Sequence, residues 1–297
     1  MWFVCGLLTA LFWGGADLFY KKGSDSSDKL SHLKITIMVG LVMGVHAVIY
    51  MLVIREPLEL ISILKYLPVS FLYILSMVLG YVGLRYIELS VASPIQNSSG
   101  AVVAILCLIF FSQKPSALSV CGIVIVSVGV VLLAVLEKRG EPAPAEKDKK
   151  YRISAIAIMF PILYCIIDGM GTFADALYLD ELGLISENQA LLAYEFTFFI
   201  LAIVLLLYIT LIKKQKFTLR DNMDRGIAAV LETGGQFFYV FAMAKNAVIT
   251  APLIASYSIF SVILSRIFLK EKLSRAQYAV VIAVLIGIAI MGVADEL

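Results

Sequence analysis

Residues 191–212 read LLAYEFTFFILAIVLLLYITLI, and Glu195 is the one charged side chain among them. A run of about 18 or more apolar residues is long enough to cross a bilayer as a helix. Such runs recur about ten times, near 2–20, 35–54, 67–87, 92–112, 116–136, 153–179, 189–212, 226–245, 249–269 and 275–294. A backbone in lipid has to satisfy its own N–H and C=O groups, which leaves helices or a closed barrel. Barrel strands are short and alternate in polarity, and these blocks do neither. The expected fold is therefore an all-α membrane protein with ten transmembrane helices.

The rest of the chain leaves little for anything else. Of 297 residues 61% are hydrophobic and 15% charged, and the long polar stretch is EKRGEPAPAEKDKKYR at 137–152. That is too short for a soluble catalytic domain. The start, MWFVCGLLTALFWGG, lacks the basic region and small-residue cleavage site of a signal peptide, so the first span is expected to be retained. Cys5, Cys107, Cys121 and Cys165 lie within apolar spans without a CxxC or clustered histidines. Neither a disulfide framework nor a metal centre is expected, and no cofactor.

The two halves align at an offset of 158 positions without a gap. Asp17 and Tyr20 fall on Asp175 and Tyr178, Tyr81 on Tyr239, Pro94 and Ser98 on Pro252 and Ser256, and Gly129 on Gly287. QKPS at 113–116 falls on EKLS at 271–274. One match between apolar segments is cheap, but a single register held from first span to last is not. The expected organisation is a five-helix repeat at 1–138, a polar linker at 139–151 and a second five-helix repeat at 152–297. Five is odd, so the copies must lie upside down relative to each other. Inverted repeats of this kind build carriers that alternate access around a site at mid-membrane.

Orientation follows from the basic residues. All but Arg55, Lys65, Lys114 and Lys245 of the 24 Lys and Arg fall in or beside the loops after spans 1, 3, 5, 7 and 9. The positive-inside rule places that side in the cytoplasm and both termini outside.

The ten-span pattern, FWGGADLFY in the first span and ITAPLIASYSIFSVILSRIFLKEKLS at 249–274 resemble the EamA branch of the drug/metabolite transporter superfamily. The resemblance covers nearly the whole chain except the linker. It implies a secondary transporter with a central cavity lined mainly by spans 1–4 and 6–9, with spans 5 and 10 peripheral. In keeping with that division, 117–136 and 276–292 hold no ionisable residue except Tyr278. Relatives are usually described with both termini in the cytoplasm, opposite to the charge count.

A charge at mid-bilayer costs about 2.5–3.5 kcal/mol, so each intramembrane acid calls for a reason. On the sixth span Tyr164, Asp168, Thr172 and Asp175 share one helical face, and on the first span Thr9, Trp13, Asp17 and Tyr20 do the same. Asp17 and Asp175 are repeat mates near opposite ends of the membrane. Both sit near helix C-termini, where the dipole disfavours negative charge, so capping does not account for them; the alternatives are that each snorkels to the interface, or that Asp17 pairs with Lys21 at i+4. Asp168, in CIIDGMG, has Ala10 as its mate and lies near mid-span, with Pro161 before it and two glycines after it to permit a kink, close approach or unwinding. Its alternative role is a hydrogen-bonded lock between helices. Glu232 shares a face with Gln236 and Tyr239, whereas Glu195 lies nearer a helix start, where solvation and the dipole compete as explanations. His46 is either a proton relay or a hydrogen-bonded helix contact. Arg85 and Lys245 near span ends are read as snorkelling or paired. Gln96, Asn97, Ser98, Ser256 and Tyr257 offer neutral hydrogen-bond partners to a solute or glue between helices.

The candidate substrate- or proton-binding residues are thus Asp168, Glu232, Asp17, Asp175, Glu195, His46, Trp13, Tyr164, Asn97 and Tyr239. Acids outnumber bases among them, which favours protons and organic cations, and the aromatic rings supply cation–π faces. The expected function is secondary transport of a small metabolite or drug, a cation or zwitterion, coupled to protons or by exchange. One rival is carriage of an anionic or neutral metabolite through Arg85 or Lys245. Another is a membrane scaffold or sensor, whose acids would all be paired around no continuous cavity. No GxxxxGK[ST], nucleophile–base set or metal-ligand spacing speaks for an ATPase or an enzyme. The expected partners are a small solute, the bilayer, protons or another coupling ion, and a second copy in a homodimer; nucleic acid is not among them.

Overall fold

The computed structural model describes residues 1–23, 28–83, 96, 98–112, 114–140, 155–268 and 273–294. They form α1 (Trp2–Gly23), α2 (Ser31–Ile54), α3 (Leu60–Gly83), α4 (Ser99–Phe110) and α5 (Ala117–Gly140) in the first half. The second half forms α6 (Ala155–Ala176), α7 (Glu187–Leu207), α8 (Met223–Ala255), α9 (Tyr257–Phe268) and α10 (Arg275–Ala294). Wider π turns extend α6 over Leu177–Glu181 and α7 over Tyr208–Ile212. Among the described residues there is no strand. Asn97, Arg85, Pro94 and most of the linker lie outside the described residues.

Among the described residues seven helices are long and apolar enough to cross a membrane, and Ser99–Phe110 and Ala117–Leu133 are shorter apolar helices. Large apolar side chains stand exposed along whole helix faces, such as Val45, Val48, Ile49, Leu52 and Val53 on α2. A face like that is costly in water and costs nothing in lipid.

One element departs from the expected spans. The eighth and the start of the ninth run on as α8, broken at Asn246 (φ −164°, ψ 72°). Asp180, in the turn that extends α6, accepts the Ala247 N–H at 2.8 Å and so caps the part of α8 after the break. The CIIDGMG segment stays helical, without the unwinding its glycines permit. Gly171 serves close approach instead: a Cβ there would lie 3.3 Å from Cβ of Leu72 on α3.

Packing follows the repeat. α1 packs on α8 and α9, as α6 packs on α3 and α4; α2 packs on α8, as α7 packs on α3. The mates α2 and α7 pack on each other, and so do α5 and α10. Each mated pair runs antiparallel. Gly40 meets Phe198 and Ala202 while Tyr50, further along α2, donates to Asn188 at 2.8 Å near the start of α7. Gly122 meets Gly287 and Met291 while Gly129 meets Val284 and Val280. α2 and α7 also end alike, each followed closely by a left-handed residue, Arg55 (φ 57°) and Lys214 (φ 51°). Two of these crossings depend on absent side chains. A Cβ on Gly40 would fall 2.4 Å from the Phe198 carbonyl oxygen, and one on Gly129 would fall 2.2 Å from Val284.

Candidate functional site

α3 and α6 run antiparallel and meet through polar side chains. Gly80 lies against Tyr164, Ser76 Oγ is 3.4 Å from Asp168 Oδ1, Tyr73 donates to Thr172 Oγ1 at 3.0 Å, and Tyr66 donates to Asp175. On α3 the spacing of Tyr66, Tyr73, Ser76 and Gly80 keeps all four on one face. α8 closes over this seam with Tyr239, whose hydroxyl is 2.5 Å from that of Tyr73. α1 faces α8 in turn: Trp13 donates from Nε1 to the Glu232 carbonyl at 3.3 Å and stacks on Tyr239 at 5.3 Å between ring centres.

Where these helices diverge they leave a cavity of about 180 Å³. Asp17, Asp168 and Glu232 line it, from α1, α6 and α8. All three are partly exposed, in contrast to the sealed Asp175 and Glu195. Trp13, Tyr20, Tyr73, Tyr164, Tyr239 and Tyr257 supply aromatic wall, and Gln96, Ser99 and Gln236 supply amide and hydroxyl groups. No Lys, Arg or His lines it among the described residues. Neither α5 nor α10 contributes, as the resemblance implies, but α2 contributes nothing either.

In the cavity Asp168 and Gln236 have hydrogen-bonding capacity to spare. Ser76 has one hydroxyl proton, and its bond to the Tyr73 carbonyl at 2.8 Å is shorter than its contact with Asp168 at 3.4 Å. The second hydroxyl acting on Asp168 is that of Ser99 on α4. Gln236 Nε2 is buried and makes no hydrogen bond among the described residues. The site therefore offers carboxylate acceptors on three helices and an amide donor beside them.

Of the residues picked from sequence, Trp13, Asp17, Tyr164, Asp168, Glu232 and Tyr239 line this cavity. Asp175, Glu195 and His46 do not. Asp175 is 0% exposed behind Tyr73 and Tyr239. Glu195, also 0% exposed, accepts from His46 Nδ1 at 2.8 Å between α7 and α2. Thr9 donates to the Cys5 carbonyl of its own helix at 2.9 Å, and its hydroxyl lies 3.2 Å from the Gly235 carbonyl where α1 packs on α8. Lys245 pairs with Glu187 at 3.1 Å, away from the cavity. Sequence reasoning missed Tyr73, Tyr194 and Met77 in the wall. For Tyr73 a signal existed in the one-sided polar spacing of α3.

The chain matches the model of the EamA-like transporter family over residues 1–135 and again over 154–293. No curated protein matches it. A solved crystal structure superposes with a TM-score of 0.74 over 98% of this chain and 98% of that one, at 11% sequence identity. At that identity the likeness establishes the fold alone.

Proposed function

This chain belongs to the EamA-like transporter family, with both halves matched, and on that premise we propose that it is a secondary transporter of a small organic cation or zwitterion. It acts as a carrier rather than an enzyme. Two inverted five-helix repeats, 1–138 and 152–297 joined by 139–151, make ten spans and expose the cavity to each side of the cell membrane in turn. Both termini face outside. Transport is driven by protons or by exchange.

The observation that carries this reading is the convergence of Asp17, Asp168 and Glu232 with aromatic rings on one cavity that no basic residue lines among the described residues. Carboxylates lining a low-dielectric hollow attract a positive charge strongly. A cation held over Tyr or Trp faces gains about 0.5–2 kcal/mol more. The Gln236 amide, with no acceptor among the described residues, can receive the carboxylate of a zwitterion. A protonated Asp168 can donate to Ser76 or Ser99, so proton and solute can hold the same group in turn. An anionic solute would want a cationic partner, yet Lys245 is engaged with Glu187. A scaffold would keep its acids paired around no continuous cavity, whereas Asp17, Asp168 and Glu232 line one.

The test is uptake by proteoliposomes offered a panel of radiolabelled amines, amino acids and sugars under imposed pH gradients. Amines or amino acids are expected to accumulate, and Asp168→Asn to reduce gradient-driven uptake to background while the protein still elutes as a single species. Accumulation of anions or sugars alone, or full uptake by Asp168→Asn, would overturn the proposal. For orientation, a cysteine placed at Ala145 in the linker is expected to resist an impermeant maleimide added outside intact cells.

A further inference from the structure

The polar seam between α3 and α6 does not stop at the cavity. Beyond Tyr73 and Tyr239 it ends at Asp175, whose Oδ1 accepts from Tyr66 and whose buried Oδ2 has no geometric hydrogen bond among the described residues, although the Tyr239 hydroxyl stands near the carboxyl. The titratable groups around this carboxyl are Tyr66 and Tyr73 on α3, Tyr194 on α7, Tyr239 on α8, and Asp168 and Tyr178 on α6 itself. Not one of them is a base that could pair with it. A carboxylate held there without a cation is costly to bury as an ion and far less so as the neutral acid. A structural lock would be better made by Asn, which brings its own donors. An acid there makes sense if it takes up and gives back a proton.

The hydroxyls for that exchange are in line. Tyr239 lies within reach of Asp175, its oxygen is 2.5 Å from that of Tyr73, and Tyr73 donates to Thr172 at 3.0 Å. Thr172 and Asp168 are one helical turn apart and both line the cavity, which has room for bridging waters. We propose that Asp175 is a proton-binding station in series with Asp168, linked to it through the hydroxyls of Tyr239, Tyr73 and Thr172 and shielded by them from the transported solute.

In the transfer, Asp175 gives its proton to the Tyr239 oxygen as Tyr239 passes its own to Tyr73. Tyr73 passes its proton to Thr172, and Thr172 passes one through cavity water to Asp168. One O–H bond breaks at Asp175 and one forms at Asp168. Each hydroxyl and water ends with the protons it began with, and rotation of the hydroxyls resets the chain. The station deepens the transport reading and rests on it for its place in the cycle, but its test needs no solute.

That test is time-resolved infrared spectroscopy of the purified protein in detergent after a pH jump, following the stretch of protonated carboxyl groups. Asp175→Asn is expected to remove one titrating band. Tyr66→Phe is expected to shift the same band by removing its hydrogen bond, and so identifies it even if Asp175→Asn fails to fold. Tyr73→Phe and Tyr239→Phe are expected to leave the band's final amplitude unchanged and slow its response by about tenfold or more, equivalent to one decade in rate. A band that does not titrate, or that responds equally fast in the Tyr73→Phe/Tyr239→Phe double variant, would overturn the station. Loss of solute uptake alone, with these infrared results intact, would overturn the transport reading and leave the station standing.

Discussion

His46 Nδ1 lies 2.8 Å and 2.9 Å from the two carboxylate oxygens of Glu195, tying α2 to α7 at a point where Glu195 is wholly sealed. Tyr50 and Phe237 pack on the imidazole ring. Removing one partner of such a buried pair strands the other. His46→Leu is expected to destabilise the protein by about 3 kcal/mol, and Glu195→Gln, which keeps a bond to the ring, by about 1 kcal/mol. The His46→Leu/Glu195→Leu double variant is expected to recover most of the loss. Equilibrium unfolding in mixed detergent–SDS micelles measures all three; a double variant as unstable as His46→Leu would dissolve the coupling.

The glycines divide by what a methyl group would strike. Gly40→Ala drives a carbon into the Phe198 carbonyl oxygen across α2 and α7, and is expected to cost about 1–3 kcal/mol. Gly169→Ala meets nothing nearer than 3.6 Å and removes a flexible residue from a helix. It is expected to fold as well as the parent or to gain up to about 1 kcal/mol. The same unfolding assay compares them.

The break in α8 is supported from outside the helix. Asp180→Ala removes the acceptor of the Ala247 N–H and is expected to cost about 0.5–2 kcal/mol. Hydrogen exchange at Ala247 reports the loss directly, since its amide should exchange faster while those at the start of α8 do not change.

Between α1 and α2, Asp28 holds Lys34 at 2.7 Å and accepts the Leu30 N–H at 2.9 Å. Burial alone would raise its pKa, but the Lys34 bond, the Leu30 amide and the nearby charges of Lys34 and Arg225 outweigh that and hold it below the usual value. A depressed acid adds stability above its unfolded pKa and loses it as pH falls through the folded one. Asp28→Asn is therefore expected to lower the melting temperature slightly at pH 7, by the equivalent of about 1 kcal/mol or less. The difference should vanish in strong acid, below the folded pKa. Paired melting curves across that range test it.

What could be read from the chain beforehand divides along physical lines. Helices across lipid declare themselves because each needs a long apolar run, and the offset between Asp17 and Asp175 exposes the repeat. Asp168 and Glu232 were legible as acids deep in spans, where each demands a purpose. The partner of Glu195 was not, because His46 lies on another helix and no local pattern joins them. The same holds for Asp175: it read as a binding residue near one end of the membrane, yet Tyr66, Tyr73 and Tyr239 seal it from the cavity. Asn246 read as a loop residue between two spans, whereas the helix continues on both sides of it because Asp180 supplies the missing cap. Distant side chains decide each of these.

Gly40 and Phe198 occupy the same position in the two copies of the repeat, and they touch each other. A contact between a residue and its own counterpart sits on the axis that relates the two copies. Contacts away from that axis come in pairs: Gly129 meets Val284 as its mate Gly287 meets Val126. The glycine crossing has no such twin, so a methyl group there would press on both copies alike, whereas the same change elsewhere along the seam would strain one member of a pair and leave the other untouched.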